Sequence, residues 1–321
     1  MRYGAIDIGS NSVRLLVGNL VGDDPWAADF ESIARAGEPC RLGRGLHETG
    51  RIADELAERA AAIAAEFARR ARSLGAVHVV AGATAALRSA ANGAEAAERI
   101  SARAGVPVRV LSGDEEARLV YRAVVLGLGG RSRSSQCVVF DLGGGSTEVV
   151  SGVGANAGRW NSLPFGAVSL HERSLPGDPP DEATIQAARE TIARELMHGC
   201  AQLPERSTLL AGVGGTVTVL ASLDRGLADY DPALLEGWYI ERGRAQALID
   251  RIVRLSLEDR RQLPIMGEGR ADIIGAGVLV VEALMERFQA PGLVASTQGL
   301  RYGLVRLAAE EWLASRPSDN R

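Results

Sequence analysis

Apolar residues gather in short β-branched runs on both sides of two tight turns. One hairpin covers residues 3–19 and turns at 9–12, and the other covers 138–150 and turns at 143–146. Apolar runs bounded by glycine and hydroxyl residues predict a strand, a turn and a second strand. We therefore expect two β-hairpins of the same layout.

Longer segments carry apolar residues at helical spacing and alternate with short apolar strands. The spacing predicts helices at 52–74, 182–202, 242–256 and 272–288 and a terminal helix that ends at Ala314. Strands are predicted at 77–81, 106–111 and 293–297, and a strand, a turn and a helix start at 209–220. Strands and helices in alternation predict an α/β fold.

The two hairpins align without a gap. Three pairs of residues share positions in this alignment: Asp7 with Asp141, Gly9 with Gly143, and Ser12 with Ser146. A repeat of this kind predicts a duplicated domain, with the two turns facing each other across an interdomain cleft. We place the first domain at 1–125 and the second at 126–302, and we expect the helix at 303–316 to pack back on the first. The glycine- and serine-rich segment 126–136 is the expected crossing.

The second turn has the chemistry of a phosphate site with its own metal position. Its three consecutive glycines, 143–145, lack Cβ atoms, so their backbone N–H groups can surround an anion. Ser146 and Thr147 add hydroxyl groups. Asp141 ends the first strand and Glu148 begins the second, and both carboxylates can hold a hard cation beside the anion.

Two further turns are candidate anion sites. Residues 84–88 lead from a strand into a helix whose N-terminus favours anions, and Arg88 lies about one turn in. Gly214, Gly215 and Thr216 follow another strand. The alternatives are an exposed helix arginine for Arg88 and close helix–sheet packing for the glycines.

Glu116 is the candidate general base. Ser112 and Glu115 have the Ser-x-x-Glu spacing of a capping box, which gives Glu115 a structural role at a helix start. Glu116 has no such capping role, so its carboxylate can point away from the helix start. The alternative is a glutamate on the helix surface.

The composition excludes several classes of protein. Of 321 residues, 46% are apolar and 24% are charged, and the net charge is −4, which is typical of a soluble globular protein that binds no nucleic-acid duplex. All 36 basic residues are arginine, which excludes a lysine P-loop and a Schiff-base lysine. A bound phosphate would be held by arginine, backbone N–H groups, hydroxyls and metal.

The cysteines and the apolar runs indicate the compartment. Cys40, Cys137 and Cys200 lack metal-ligand spacing, and reduced thiols are typical of the cytosol. The chain enters a strand at once, which leaves no room for a signal peptide. The longest apolar run, 273–285, is too short to span a bilayer. We expect a cytoplasmic protein with no membrane partner.

Together the motifs resemble the exopolyphosphatase / guanosine pentaphosphate phosphatase (Ppx/GppA) family in its short two-domain form. The most specific matches are Asp7-Ile-Gly-Ser-Asn-Ser12 and Ser112-Gly-Asp-Glu-Glu-Ala-Arg118. The others, in the family's order, are Leu42-Gly-x-Gly-Leu46, Thr84-Ala-Ala-Leu-Arg88, Asp141-Leu-Gly-Gly-Gly-Ser-Thr-Glu148, Gly214-Gly-Thr216 and Gly299-Leu-Arg-Tyr-Gly303.

The resemblance implies two RNase H-like domains of the actin-like ATPase superfamily. It also implies hydrolysis of a terminal phosphoryl group, from inorganic polyphosphate or from pppGpp, the nucleotide of the stringent response. Glu116, which precedes Ala-Arg, is then catalytic, and Mg²⁺ lies near Asp141 and Glu148 with Asp7 opposite. The candidate phosphate-binding residues are Ser10, Asn11, Ser12, Arg88, Gly143, Gly144, Gly145, Ser146, Thr147, Gly214, Gly215 and Thr216.

Several alternatives stay open at this point. The main activity could be hydrolysis of pppGpp, or the chain could be a sugar or acetate kinase or a non-catalytic actin-like nucleotide-binding protein of the same superfamily. The segments 41–44 and 131–133 hold arginines that could contact a long polyanion, with solvated loop arginines as the alternative for 41–44. A homodimer is one alternative for the assembly.

Overall fold

The computed structural model describes residues 1–129, 136–266 and 269–316. The strands are β1 (Arg2–Ile8), β2 (Ser12–Val21), β3 (Asp29–Pro39), β4 (His78–Ala83), β5 (Val108–Val110), β6 (Gln136–Leu142), β7 (Thr147–Val153), β8 (Asn156–Leu163), β9 (Leu209–Val213), β10 (Tyr239–Glu241) and β11 (Gly292–Ala295). The helices are α1 (Leu46–Thr49), α2 (Asp54–Ser73), α3 (Ala85–Ser89), α4 (Gly93–Ala104), α5 (Gly113–Leu128), α6 (Ala167–Ser174), α7 (Glu182–Gly199), α8 (Gly215–Arg225), α9 (Pro232–Leu235), α10 (Arg242–Arg254), α11 (Leu257–Arg261), α12 (Ile274–Arg287) and α13 (Leu300–Ala314).

The chain forms two compact units, each with its own sheet. Unit 1 contains residues 1–112 and the segment that begins at Leu300, and unit 2 contains residues 113–299. In unit 1 the strand order is β3-β2-β1-β4-β5. The first three strands form an antiparallel meander, and β4 and β5 join β1 in parallel.

Unit 2 repeats this arrangement and adds one strand. Its order is β10-β11-β9-β6-β7-β8, with β6, β7 and β8 as the antiparallel meander, β9 and β11 in parallel, and β10 antiparallel at the edge. The two sheets therefore share one order of strands. The predicted α/β fold class with two RNase H-like sheets is confirmed, and so are the two predicted hairpins.

Each sheet is covered by helices whose small residues allow close packing. The buried face of α2 consists mostly of alanine, which lets this helix lie near the fully buried Ile6, Ile8 and Leu15 of the sheet. In unit 2, a Cβ atom on Gly212 would lie 2.4 Å from the ring of Phe140. Gly212, on β9, therefore makes room for the Phe140 ring of β6, the strand that ends at the candidate site.

The boundary between the units differs from the predicted one at 125/126. Helix α5 belongs to unit 2, because it packs against β7 and β8 and buries Val120, Tyr121 and Val124. The chain therefore passes into unit 2 after Ser112, before this helix. Most of the segment that was expected to be the crossing, including Arg131 and Arg133, lies outside the described residues.

None of the helices in the described ranges is both long and apolar enough to cross a membrane.

Candidate active site

The turn between β6 and β7 is tightly closed. The N–H group of Gly143 donates to the carbonyl oxygen of Ser146 at 3.0 Å, and the register of the hairpin pairs Asp141 with Glu148. The two carboxylates thus lie on directly opposite residues of neighbouring strands. The pairing brings together the two carboxylates that the sequence proposed for a cation.

The start of α6 orients the peptide groups of this turn. Ala167 donates its N–H to the carbonyl oxygen of Gly143 at 2.9 Å, and Val168 donates to that of Gly144 at 2.8 Å. In a trans peptide the N–H points away from the C=O, so the N–H groups of Gly144 and Gly145 are directed away from α6. Such an arrangement of successive N–H groups suits an anion.

Close contact between this turn and α6 depends on glycine at position 166. A Cβ atom there would lie 2.5 Å from the carbonyl oxygen of Gly143 and 2.7 Å from the carbonyl carbon of Gly144. The backbone of the turn would have to move to accommodate it. Gly166 is therefore part of the frame that holds the glycine turn.

Two hydroxyl-bearing residues next to the turn have different environments. Ser146 is largely buried at the turn itself. Thr147 is completely buried, and its hydroxyl donates to the carbonyl oxygen of Phe165 at 2.8 Å. The Thr147 hydroxyl thus serves the interior of the sheet, and the assignment of this residue to phosphate binding stays a prediction.

The carboxylate of Glu148 is held inside the unit. Its residue is 1% exposed, and Oε1 accepts a hydrogen bond of 2.7 Å from the hydroxyl of Ser162. Asp141, on the opposite strand, is half-buried. Next to it, a Cβ atom on Gly299 would lie 3.9 Å from Oδ2 of Asp141.

Glu116 is buried at the start of α5, with 5% exposure. Asp114, two residues earlier, forms an exposed ion pair in which Nε of Arg118 donates at 2.8 Å. The alternative that Glu116 lies on the helix surface is therefore wrong. Because α5 packs on β7 and β8, the structure places Glu116 on the helix beside the strand that carries Glu148.

The third glycine turn joins β9 to α8. Gly214 has φ of 110°, in a region that favours glycine, and a Cβ atom on it would lie 2.5 Å from the carbonyl oxygen of Leu142. The neighbouring Thr216 is largely buried and contacts the backbone of Gly277 in α12. Close packing thus accounts for Gly214 and for the Thr216 side chain, whereas Gly215 is half-buried at the start of the helix.

Arg270 contacts this turn, and sequence reasoning did not single it out. A Cβ atom on Gly215 would lie 3.2 Å from Nε of Arg270 and 3.5 Å from its guanidinium carbon. The guanidinium therefore lies over the first residue of α8. Its only sequence signal is a lone arginine in a polar segment, which is too common to identify a site.

The first turn, in unit 1, has the same closing hydrogen bond. The N–H of Gly9 donates to the carbonyl oxygen of Ser12 at 3.0 Å. The register pairs Asp7 with Arg14, and Nε of Arg14 donates to the hydroxyl of Ser12 at 3.0 Å. Burial raises the pKa of the Asp7 carboxyl, while the charges of Arg14 and Arg301 act in the opposite direction.

The segment after β3 orients the peptide groups of this first turn. Gly43 donates its N–H to the carbonyl oxygen of Ser10 at 2.8 Å, and Cys40 donates to that of Asn11 at 3.0 Å. By the trans-peptide argument used above, the N–H groups of Asn11 and Ser12 point away from this segment. The segment after β3 in unit 1 and the start of α6 in unit 2 thus both fix the direction of the N–H groups in their turn.

The two arginines of that segment are exposed. Arg41 has φ of 52°, an unusual value for a residue with a side chain, and its N–H also donates to the carbonyl oxygen of Asn11. Its backbone therefore lies on the carbonyl side of the turn, with Arg44 beside it. A contact between these arginines and a long polyanion stays a prediction.

Arg88 connects α3 to the end of β5. Its Nη1 donates to the carbonyl oxygen of Leu111 at 2.9 Å, directly before Ser112 and the start of α5. Arg88 is half-buried, which rules out the alternative of a fully exposed helix arginine.

The donor atoms suit a hard cation that keeps part of its hydration. In the described parts of the chain, no group of three or more histidine, cysteine, aspartate or glutamate side chains is close enough to hold a metal. Mg²⁺ is commonly bound by one or two carboxylates together with water and substrate phosphates. Asp141 and Glu148 fit that pattern, whereas the partner of Asp7 across the hairpin is an arginine.

Three comparisons with known proteins agree with one another. The sequence profile of the Ppx/GppA phosphatase family matches residues 23–310. The chain is 34% identical over 289 residues to Exopolyphosphatase 2 of Mycobacterium tuberculosis, covering 88% of this chain and 89% of that protein. It is 31% identical over 311 residues to Exopolyphosphatase 1 of Mycobacterium bovis, covering 95% and 87%.

A solved structure of similar shape is that of the PPX-GPPA enzyme of Aquifex aeolicus. It has a TM-score of 0.80 and 31% sequence identity, and the match covers 96% of this chain and 99% of that one. The relatives named exopolyphosphatase indicate that the protein is a phosphoanhydride hydrolase. The chain belongs to the Ppx/GppA phosphatase family.

Proposed function

We propose that the protein is an exopolyphosphatase, which releases the terminal phosphoryl group of inorganic polyphosphate with the help of Mg²⁺. Relatives named exopolyphosphatase, at 34% and 31% identity over most of the chain, support this activity. The arginine-only basic composition is compatible with it, because guanidinium forks bind phosphate oxygens well.

One observation carries the proposal for the site. In unit 2, the N–H groups of Gly144 and Gly145 are directed away from α6, on the hairpin that also pairs Asp141 with Glu148. Glu116 is buried on the helix packed beside the same strands. An anion cradle, two carboxylates and a buried candidate base thus belong to one unit.

The residues of unit 2 have separate roles in the proposal. Gly144, Gly145 and Ser146 bind oxygens of the terminal phosphoryl group, and Gly143, whose N–H group closes the turn, holds them in place. Arg270, beside Gly215, neutralises further phosphate charge. Asp141 and Glu148 would hold Mg²⁺, which when bound neutralises charge on the phosphate oxygens. Glu116 orients a water molecule and accepts its proton as the water oxygen attacks phosphorus. The bond from phosphorus to the bridging oxygen breaks, the shortened polyphosphate leaves with that oxygen, and inorganic phosphate is released.

The residues of unit 1 act mainly on the polyanion. The turn of Ser10, Asn11 and Ser12 donates N–H and hydroxyl groups to phosphate oxygens, and Arg88 supplies guanidinium donors. Asp7 is adjacent to the charges of Arg14 and Arg301, so its role as a cation ligand stays a prediction. Positioning and charge neutralisation supply most of the rate in phosphoryl transfer.

The decisive test is the substitution Glu116→Gln. General base catalysis contributes about 10²- to 10⁴-fold, so we expect phosphate release from polyphosphate to fall by about that factor while polyphosphate binding is retained. Glu115→Gln is the matched control, since glutamine also completes a capping box, and it should keep near-normal turnover. Near-normal turnover of Glu116→Gln would show that another group is the base.

A second experiment separates the candidate substrates. Phosphate release is measured from polyphosphates of graded length, from pppGpp and from ATP, each with and without Mg²⁺ and without any acceptor. We expect release from polyphosphate that depends on Mg²⁺. Faster release from pppGpp would make the nucleotide the main substrate, and no release from any of the three would contradict the proposal.

A further inference from the structure

Strand β8 lies beside two of the three carboxylates that the proposed function uses in unit 2, namely Glu148 and Glu116. Its residue Ser162 is the register partner of Glu148 across the β7–β8 pair. The same strand is in contact with α5, the helix that carries Glu116. One strand at the edge of the meander thus supports both the cation ligand and the base.

The contact between Ser162 and Glu148 is short and sheltered. The serine hydroxyl donates to Oε1 at 2.7 Å, and the glutamate is 1% exposed. A hydrogen bond from a hydroxyl to a carboxylate is charge-assisted and stronger than a bond between neutral groups. Because the acceptor is buried, loss of the donor would remove one of the contacts that orient this carboxylate.

The first residue of α5 lies on the same part of β8. A Cβ atom on Gly113 would lie 3.1 Å from Cζ3 of Trp160 and 3.3 Å from the Cβ of Ser162. The glycine therefore lets the start of the helix approach the strand more closely than an alanine would. Glu116 follows three residues later, within the first turn of the helix.

We propose that Ser162 is a positioning residue that fixes the Glu148 carboxylate for cation binding, and that the contact of Gly113 with Trp160 and Ser162 sets the position of Glu116. This inference rests on the proposed roles of Glu148 and Glu116. The two contacts act on different steps, because one orients a cation ligand and the other orients a base.

Ser162→Ala tests the first contact. The probe is Mn²⁺ added to the protein in the absence of substrate, with the free ion measured by electron paramagnetic resonance and Mg²⁺ used as a competitor. Loss of a partner that orients a metal ligand typically reduces metal affinity by about 10- to 100-fold. We expect a loss in that range, with a turnover at saturating Mg²⁺ within about threefold of the unchanged protein.

Two further variants separate positioning from packing. Ser151 is the matched control, since it lies on β7 and its hydroxyl donates to the carbonyl oxygen of Arg159 at 3.1 Å, away from Glu148. Ser151→Ala should leave Mn²⁺ affinity unchanged. Ser162→Thr keeps a hydroxyl and should retain most of the affinity that Ser162→Ala loses.

Gly113→Ala tests the second contact. The added Cβ atom requires the start of α5 and the side chains of β8 to separate by a few tenths of an ångström, so we expect turnover to fall by up to about 10-fold, since small misplacements of catalytic groups lower the rate. Mn²⁺ affinity should stay unchanged in this variant. The two substitutions therefore predict opposite patterns, one in metal affinity and the other in turnover.

The outcomes distinguish this inference from the proposed function. Glu148→Gln serves as the reference, and if it leaves Mn²⁺ affinity unchanged, the metal role of Glu148 is wrong. If Glu148→Gln weakens Mn²⁺ binding and Ser162→Ala does not, the role of Ser162 alone is wrong. Equal losses in Ser162→Ala and Ser162→Thr would show that the residue acts through packing, and this too would overturn the inference.

Discussion

The two hairpin turns are built on one backbone plan but differ in charge. In each, the glycine after the strand donates to the carbonyl oxygen three residues later, in both cases at 3.0 Å. In each, N–H groups from a distant segment bind the carbonyl oxygens of the turn. The residue opposite the aspartate differs: Asp141 faces Glu148, while Asp7 faces Arg14.

This difference indicates how a duplicated turn can take two roles. The backbone frame directs N–H groups outward in both units, which suits phosphate oxygens. A second carboxylate in unit 2 makes that hairpin suitable for a cation, whereas an arginine in unit 1 neutralises the carboxylate and adds donors for an anion. We therefore infer that the residue opposite the aspartate contributes to the choice of ligand at each hairpin.

The largest effect is expected at the carboxylate pair of unit 2. Metal ions supply several kcal/mol of charge stabilisation in such sites, so Glu148→Gln should lower phosphate release by about 100-fold or more. The required Mg²⁺ concentration should rise as well. Glu190→Gln is the control, because Glu190 is exposed on α7 and its side chain accepts a hydrogen bond from Gln186.

Measurement of phosphate release against Mg²⁺ concentration checks this prediction. A variant that loses activity with an unchanged Mg²⁺ midpoint would contradict the cation role. The difference between Glu148 and Arg14 at the two hairpins would then need an explanation that involves no cation.

A smaller effect, mainly on substrate binding, is expected at the arginine of unit 1. A hydrogen bond to a charged group contributes about 1.5–3 kcal/mol, so Arg14→Gln should lower kcat/KM by about 10- to 100-fold, chiefly through KM. The Mg²⁺ midpoint should not change. Arg70→Gln, on the exposed side of α2, is the matched control.

Steady-state kinetics with polyphosphate and a Mg²⁺ titration are the measurements. If Arg14→Gln shifted the Mg²⁺ midpoint as strongly as Glu148→Gln, the two hairpins would not differ in the ligand that they bind. An unchanged KM would remove Arg14 from the substrate contacts.

Much of the fold could be predicted because its signals are local. Alternating runs and glycine turns identified both hairpins, and helical spacing identified α2, α7, α10 and α12. The boundary was placed wrongly because the side to which α5 belongs depends on contacts such as that of Gly113 with Trp160, which are distant in sequence.

Contacts between residues that are distant in sequence also limited the prediction of the candidate site. Thr147 was assigned to phosphate because it follows the turn, yet both faces of β7 are buried at this point, so alternation could not show that its hydroxyl points inward. Arg270 was missed since a lone arginine in a polar segment carries no periodicity. Ser162 was missed because its partner, Glu148, lies on another strand.

The smallest expected effect concerns stability, at the aspartate of unit 1. The folded protein raises the pKa of Asp7 above its ordinary value of 3.8, because burial outweighs the charges of Arg14 and Arg301. The folded state therefore holds the proton more tightly than the unfolded chain, and stability falls as pH rises from this value through the raised pKa. Asp7→Asn should raise the Tm at neutral pH, and the gain should vanish at pH values below the ordinary pKa.

Thermal unfolding from acid to neutral pH, with EDTA present to remove cations, measures this effect. Asp181→Asn is a control of opposite sign: the N–H of Thr184 donates to Asp181 at 2.7 Å and lowers the pKa of its carboxyl, so that variant should lose stability at neutral pH. If Asp7→Asn gave no gain at neutral pH, the arginines would fully neutralise the carboxylate. A gain combined with lower phosphate release would indicate that unit 1 keeps a destabilising carboxylate because catalysis requires it.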